Sequence, residues 1–410
     1  MPMTWIDWMY FGFLVISMFF IFLFLLLFLS EKGGKKKPVK LKKLPSISII
    51  IPAYNKEKVI EGTIKAVKNI KYPAHLKEII VVDDGSKDRT YEIIKKINGI
   101  KALTKPNGGR ADALNYGIRH AKGEIVITVD ADSYPKPDSV LKAIDFFSDK
   151  DVAGVTCTVL VNKPKKFIEK LQNFEYSMFY LTRKMLEAVN CIYVTPGPLA
   201  LYRKDVIKKI GGFDTKNMTE DIEIAWRILK YGYKIKISIE SEVLTDVPEN
   251  WRQWWHQRIR WSVGGIQTTI KYFNLLFSRK VGNIGYFLLP TFIMGYFFVL
   301  FAFFMAIYAL INALVSFFST APLALSYGMD IKYLFGLFEI PLPNIFVFSS
   351  LIMLFISLLW IRLSINALAT RIKISENLHV LFFYLFLYIV PMPLNVLYAM
   401  WKFLRKTYTW

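Results

Sequence analysis

Residues 11–29 carry no charged side chain. At about 1.5 Å per residue, such a run is long enough to cross a bilayer core as one helix. Trp5, Trp8 and Tyr10 precede it as an interfacial aromatic group, and Lys32, Lys35, Lys36, Lys37, Lys40, Lys42 and Lys43 follow it. The positive-inside rule then predicts an outside N-terminus and a cytoplasmic chain from residue 31 onward. The segment before the run lacks positive charge and no small-residue cleavage site precedes the lysines, which predicts a retained anchor rather than a cleaved signal peptide.

From residue 46 to about 245 the pattern changes to short apolar runs alternating with amphipathic stretches. Residues 47–51, 78–82 and 125–129 are near-continuous runs rich in Ile and Val, each ended by a polar turn. Strands buried on both faces read this way, so a parallel α/β sheet is expected, with ligands at the carboxyl ends of its strands. Phe167, Leu171, Phe174, Met178, Leu181 and Met185 repeat at helical spacing, which predicts a helix packed on the domain or at the membrane surface. Residues 251–273 mix Trp251, Trp254, Trp255 and Trp261 with Arg252, Arg258 and Arg260, a composition suited to an interfacial helix.

Beyond Lys280 no charge appears until Asp330, and residues 345–361 and 378–401 are again uncharged or nearly so. The predicted organisation is an N-terminal membrane helix at 1–30, a basic linker at 31–45, a catalytic domain at 46–248, interfacial helices at 249–281, and a membrane region of three or more spans at 282–410. Three spans would leave Lys402, Arg405 and Lys406 outside, against the charge rule. Either the run from 284 to 319 holds more than one crossing, or the Pro391-Met392-Pro393 break makes the last segment re-entrant or double.

Composition agrees with two environments: of 410 residues, 54% are apolar and 16% aromatic, yet 21% are charged. The net charge of +21 could suit nucleic acid, but no recognition motif or zinc-ligand set accompanies it, so anionic lipid headgroups are the expected partner and nucleic acid is not. Only Cys157 and Cys191 occur, which leaves no disulfide framework, and the four histidines show no metal-ligand spacing.

Four polar signatures stand in order along the water-soluble stretch. In Val81-Val82-Asp83-Asp84-Gly85-Ser86 a strand-end carboxylate can accept from a uracil imide or a ribose hydroxyl; an Asp-Gly turn with a helix cap is the plainer alternative. Asp130-Ala131-Asp132 offers alternating carboxylates suited to Mg²⁺ or Mn²⁺ together with phosphate oxygens. Between them Asn107-Gly108-Gly109-Arg110 can present backbone N–H groups and a guanidinium to phosphate, or simply cap a helix. Thr219-Glu220-Asp221 opens a helix, with Thr219 as its expected cap and Asp221, beside Glu220, as the expected base for an acceptor hydroxyl. Gln257-Arg258-Ile259-Arg260-Trp261 would place an amide, a guanidinium for a diphosphate and an indole face for a pyranose on one helix.

Together with Ile50-Ile51-Pro52-Ala53-Tyr54-Asn55 and Gly197-Pro198, these motifs resemble the family 2 glycosyltransferases over residues 47 to about 265. The likeness is to the membrane-embedded synthases of cellulose, chitin, hyaluronan and poly-N-acetylglucosamine. It implies a GT-A fold, a Rossmann-like α/β cytoplasmic domain inserted between transmembrane helices of a multi-pass cell-membrane protein. It further implies a UDP-sugar donor, UDP-GlcNAc or UDP-Glc, a Mg²⁺ or Mn²⁺ cofactor, and an inverting transfer that builds a β-linked polysaccharide. The alternative within the family is a single transfer to a membrane lipid. Carried onto this sequence, Tyr54 and Asp83 fall to the nucleoside, Pro52, Asp84, Arg110 and Asp130 to donor binding, and Asp132 to the metal. Gly197, Pro198 and Trp261 fall to the acceptor, Asp221 with Glu220 to catalysis, and Gln257 and Arg260 to the diphosphate. Lys56 stands where the family usually has an acid, with Glu57 as its expected substitute in donor binding, and Arg110 stands where the family usually has a lysine.

Overall fold

In a computed structural model, residues 5–32, 38–327, 345–367 and 374–408 are described; Lys35, Lys36 and Lys37 of the basic linker and Asp330 lie outside them. The chain begins with α1 (Trp5–Lys32) and then builds the domain from β1 (Ile47–Ala53), α2 (Ile60–Lys68), β2 (Lys77–Asp83), α3 (Thr90–Lys95), β3 (Lys101–Thr104), α4 (Arg110–His120), β4 (Ile125–Thr128), β5 (Ser133–Pro135) and α5 (Ser139–Ile144). It continues through β6 (Val152–Val161), α6 (Phe167–Ala188), β7 (Ala200–Arg203), α7 (Lys204–Lys209), α8 (Glu220–Lys230) and β8 (Lys234–Thr245). The membrane-side part holds α9 (Trp251–Lys271), α10 (Leu289–Ser326), α11 (Ile345–Ala367), α12 (Leu378–Phe382) and α13 (Pro391–Arg405).

The strands form one sheet in the order β3-β2-β1-β4-β7-β6-β8-β5. β1 pairs in parallel with β2 and β4, and β2 with β3, as the continuous apolar runs predict. The other half of the sheet is mixed: β7 runs antiparallel to β4 and β6, and β5 antiparallel to β8. β7 returns through the long excursion that carries α6 and the 190s loop, so no simple βαβ crossover fixes its direction.

Every residue of β1 is buried, and its alternation splits the core in two. Ile47, Ile49 and Ile51 point into one cluster with Ile60 and Ile64 of α2 and Val140 of α5. Ile50 points into the other, with Leu114 of α4, Tyr180 and Leu181 of α6 and Trp226 of α8. A third cluster joins Leu171, Phe174 and Met178 of α6 to Trp254 of α9, Ile361 and Ile365 of α11, and Val380. A fourth joins Ile259, Val263 and Ile266 of α9 to Met218 and to Ala399 of α13. The expected α6 stripe thus binds the domain to the membrane-side helices.

Two described helical stretches, Trp8–Leu29 and Ile284–Pro322, are long and apolar enough to cross a membrane. They present Phe19, Phe22, Val315 and Phe318 outward, and Phe13 packs on Phe298 and Phe301 with ring centroids 5.3 and 4.9 Å apart. Outward apolar side chains on a helix of this length suit lipid rather than water. Ser375–Leu387 and Pro391–Leu404 form a pair bent by 54°, which would be a third span if counted as one. The break falls at the Pro391 start of α13, where proline lacks the N–H that would continue the preceding helix.

Candidate active site

The carboxyl ends of β1, β2 and β4 bring Tyr54, Asp83 and Asp130 to one edge of the sheet. Tyr54 is 42% exposed there, directly after buried Pro52 and Ala53. Asn55, at φ +51°, donates its backbone N–H to Ser86 Oγ at 3.0 Å and accepts from the Lys87 N–H at 2.8 Å, which ties the loop after β1 to the loop after β2. Asp83 accepts from Thr104 Oγ1 at 3.0 Å and lies only 2% exposed beneath this loop. Gly85 sits at φ +72°, where an added Cβ would also meet the Asn107 backbone nitrogen at 2.8 Å; both facts call for glycine.

Three of the sequence-expected donor residues have partners within the protein. Asp84 accepts from Lys105 Nζ at 2.6 Å and from the Gly108 and Gly109 N–H groups at 3.1 and 2.8 Å. The glycine pair at the start of α4 therefore aims its N–H groups at Asp84, not at a phosphate site, and Asp84 acts as the post that shapes this loop. Glu57 accepts from the Arg89 backbone N–H at 3.1 Å and faces its guanidinium, so it braces the loop before α3. Arg110 is clamped between two carboxylates: Asp130, at 2.8 Å from Nε and 2.6 Å from Nη2, and Glu220, which pairs with Nη1.

Glu220 is 2% exposed, so the Arg110 clamp fastens the start of α8 to the end of β4. A burial this deep suits a positioning role better than proton exchange with a substrate. Gly197 lies against the clamp: a Cβ there would come 2.6 Å from Asp130 Oδ2 and 2.9 Å from Arg110 Cζ. The structure thus places the Gly197-Pro198 loop beside Asp130. Thr195, just before it, donates its N–H and its hydroxyl to the Asp221 backbone carbonyl at 3.2 and 3.1 Å.

Asp132 takes a partner that the sequence did not suggest. Lys56 Nζ lies 2.6 Å from its Oδ2, and Asp130 and Asp246 contribute further negative charge nearby. Burial is the main reason its carboxyl is held above the usual range, with Lys56 opposing the shift. Asp246 is fixed by Tyr134 Oη at 2.8 Å and Asn162 Nδ2 at 2.9 Å. Among the described residues no three His, Cys, Asp or Glu side chains converge as a metal cage.

Asp221, the second residue of α8, accepts from the Ile222 N–H at 3.0 Å. Burial raises its pKa above the ordinary carboxylate value, Arg110 and Arg260 pull it back down, and Asp130 adds to the rise. Thr219 occupies the position before α8, but its side chain makes no cap; its hydroxyl and its N–H instead turn to Asn217 Oδ1 at 3.4 and 2.9 Å. That expectation is corrected because Asn217 organises the turn, donating to Thr268 Oγ1 of α9 at 2.9 Å.

α9 begins at Asn250, whose side chain accepts from the Gln253 N–H at 3.0 Å. It lies hard against the 217–219 turn: a Cβ on Gly264 would come 2.6 Å from Thr219 Cγ2, and the Met218 N–H donates to Gln267 at 2.8 Å. This close crossing brings Arg260 within electrostatic reach of Asp221 and Asp130. Gln257 Oε1 accepts from Arg258 Nη1 at 2.9 Å. Gln257 and Arg260 also line a cavity of about 300 Å³ with His256, Met218, Lys402 and Tyr408, which extends from the site toward α13.

Known proteins resemble this chain in sequence and in fold. Residues 48–211 match the family model described as Glycosyl transferase family 2. Probable glycosyltransferase YdaM of Bacillus subtilis is 32% identical over 278 residues, 64% of this chain and 66% of that protein. Poly-beta-1,6-N-acetyl-D-glucosamine synthases of Staphylococcus epidermidis and Staphylococcus aureus are 32% and 31% identical over 233 and 246 residues. Those matches take in 55% and 58% of this chain and 56% and 59% of the synthases, so somewhat more than half of each relative is spanned. In fold, the chain resembles the mannosyltransferase PcManGT from Pyrobaculum calidifontis, solved with GDP-Man and Mn2+. The TM-score is 0.62 at 19% identity, over 97% of this chain and 96% of that one. With the family model matched over residues 48–211, relatives about 32% identical and a GT-A-like mixed sheet, the chain belongs to the family 2 glycosyl transferases.

Proposed function

We propose that this protein is a membrane-bound inverting transferase that moves a hexose, N-acetylglucosamine or glucose, from its UDP-linked form onto a sugar acceptor, and repeats the transfer to build a β-linked polysaccharide. The observation that carries the proposal is Asp221, half-buried at the start of α8 with a raised pKa, within electrostatic reach of Arg110, Arg260 and Asp130. A carboxylate poised above its ordinary range is a better proton acceptor than an exposed one. The identity to the poly-β-1,6-N-acetylglucosamine synthases supports the choice of sugar.

In the proposed step the acceptor hydroxyl oxygen bonds to the anomeric carbon while its proton passes to Asp221. The bond from that carbon to the diphosphate oxygen breaks, its electron pair leaves with UDP, and displacement from the opposite face gives the β-linkage. Arg260 lies where it can offset charge on the departing diphosphate. Tyr54 offers an exposed ring to the base, and Asp83 closes the floor beneath it.

The residues present fit a divalent ion: Mg²⁺ and Mn²⁺ take one or two carboxylates and complete their shell with phosphate oxygens and water. Asp132 would hold it, assisted by Asp130, once Lys56 turns from Asp132. When bound there, a divalent ion supplies charge neutralisation of the diphosphate.

A second reading, a single transfer to a membrane lipid, is favoured by the cavity that Arg260 and Gln257 line together with Lys402 and Tyr408 of the C-terminal segment. One assay separates the two: detergent-purified protein is given Mn²⁺ and a panel of UDP-sugars and GDP-mannose, nucleotide release is followed, and the labelled product is sized and partitioned between water and organic solvent. Long product outside the organic phase supports the synthase, a lipid-soluble monoglycoside replaces it with single transfer, and release only from GDP-mannose overturns the donor assignment.

A further inference from the structure

Arg258, inside the Gln257 to Trp261 element but not part of its expected chemistry, is 3% exposed and pairs with Glu175 of α6, itself 2% exposed. The other oxygen of Glu175 accepts from the hydroxyl of Tyr388, at the break of the 54° bent pair. The Arg258 guanidinium lies over the Trp261 ring at 4.1 Å and over Trp254 at 5.5 Å, and donates to Gln257 Oε1. Trp261 also meets Phe179 edge-on, with ring centroids 6.3 Å apart. One buried cation therefore touches two of the residues assigned to substrate and is itself held by the membrane-side helix break.

A buried Arg–Glu pair is a poor way to add stability, because well-packed apolar side chains of similar volume commonly serve as well or better. Its particular yield here is geometric. The cation fixes the tilt of the indole face through the cation–π contact, and the carboxylate fixes the cation. Tyr388 then makes that carboxylate sensitive to the angle of the bent pair.

From this we infer that Arg258, Glu175 and Tyr388 form a positioning relay that sets the acceptor platform Trp261 according to the conformation of the C-terminal bent helix pair. The inference rests on the reading of Trp261 as the acceptor surface. It assigns acceptor affinity, and not donor affinity, to a residue at the membrane-side break far along the chain from every motif.

The test uses the full chain in detergent, with UDP-GlcNAc as donor and a β-1,6-linked N-acetylglucosamine tetramer as acceptor probe. Tyr388→Phe removes one hydroxyl and keeps the ring. It is expected to raise the acceptor KM about tenfold, the range for a lost hydrogen bond to a charged group, while the donor KM stays within about twofold. Glu175→Gln should act in the same direction. In a Trp261→Phe background Tyr388→Phe should add almost nothing, since the two substitutions interrupt one chain of contacts. An unchanged acceptor KM overturns the relay. So does an equal rise in both KM values with a lower melting temperature, the mark of a merely structural role, and so does full additivity with Trp261→Phe. Wild-type protein that releases no UDP from any nucleotide sugar refutes the transferase reading itself, and the acceptor role of Trp261 falls with it.

Discussion

Gly197→Ala adds one methyl group where the site has no room for it. The new Cβ would lie 2.6 Å from Asp130 Oδ2 and 2.9 Å from Arg110 Cζ, where ordinary contacts are 3.4–4 Å. The Asp130–Arg110 clamp must then retreat by roughly 1 Å, and a displacement of that size at reacting groups costs on the order of 100-fold in rate. Arg110 cannot retreat freely, because Glu220 holds its other edge. Overpacking of this kind costs about 1–3 kcal/mol of stability, so the protein should still fold with a modestly lower melting temperature. The assay is initial-rate UDP release with UDP-GlcNAc, reported as kcat/KM beside a thermal melt. Adding Arg110→Lys, a slimmer cation, should recover part of the loss by vacating the space that the methyl needs. Activity within threefold of wild type, or a double variant worse than Gly197→Ala alone, would refute the reasoning.

Four further outcomes are expected. Asp221→Asn should fold normally and lose about 10²–10⁴-fold in kcat, the usual contribution of general-base catalysis, measured by single-turnover UDP release; retention of a tenth of the activity would remove Asp221 from the mechanism. Because Asp221 must be deprotonated to accept a proton and its pKa is raised, kcat/KM should fall with decreasing pH at a higher pH than an ordinary carboxylate would give. Arg260→Met removes a charge that holds the pKa down and should move that acid limb further upward; a limb that stays or moves downward contradicts the assignment. Gly264→Ala would force α9 away from Thr219 and should weaken turnover without altering nucleotide binding, which equilibrium dialysis with UDP can check. Lys56→Met frees Asp132 Oδ2 of its cation and should tighten Mn²⁺ binding in the absence of nucleotide, read by the loss of free Mn²⁺ signal in electron paramagnetic resonance; unchanged or weaker binding would separate Asp132 from the metal.

The parts of this fold that sequence alone reveals are those in which one short segment holds the whole signal. β1, β2 and β4 are continuous apolar runs because both faces of the strand are covered, and each ends within a few residues of its polar turn. α6 is visible because its stripe faces two partners at once. The antiparallel β7 and β5 are too short to carry a pattern of their own. Polar partnerships were hidden for a different reason: Arg110 with Glu220, Lys56 with Asp132 and Arg258 with Glu175 join residues from 76 to 110 positions apart, so their pairing exists only once the sheet and helices have assembled. A glycine pair before a helix has the same local appearance whether its N–H groups face a phosphate or, as here, Asp84.

The packing of α9 against α13 reaches beyond the finished molecule to the way it is made. Asn395 of α13 hydrogen-bonds the Ser262 hydroxyl of α9 at 2.9 Å, and Ala399 completes the cluster around Ile259 and Val263. On a ribosome, which releases a chain from its N-terminus first, the strand-end carboxylates can be in place while the support of the Arg260 helix is still unmade. The bracing of the helix by α13 is added when residues 391–405 have emerged. A nascent chain therefore carries the strand-end carboxylates before the helix of Arg260 has its full support, and on the proposed roles of these residues competence for sugar transfer follows the emergence of α13.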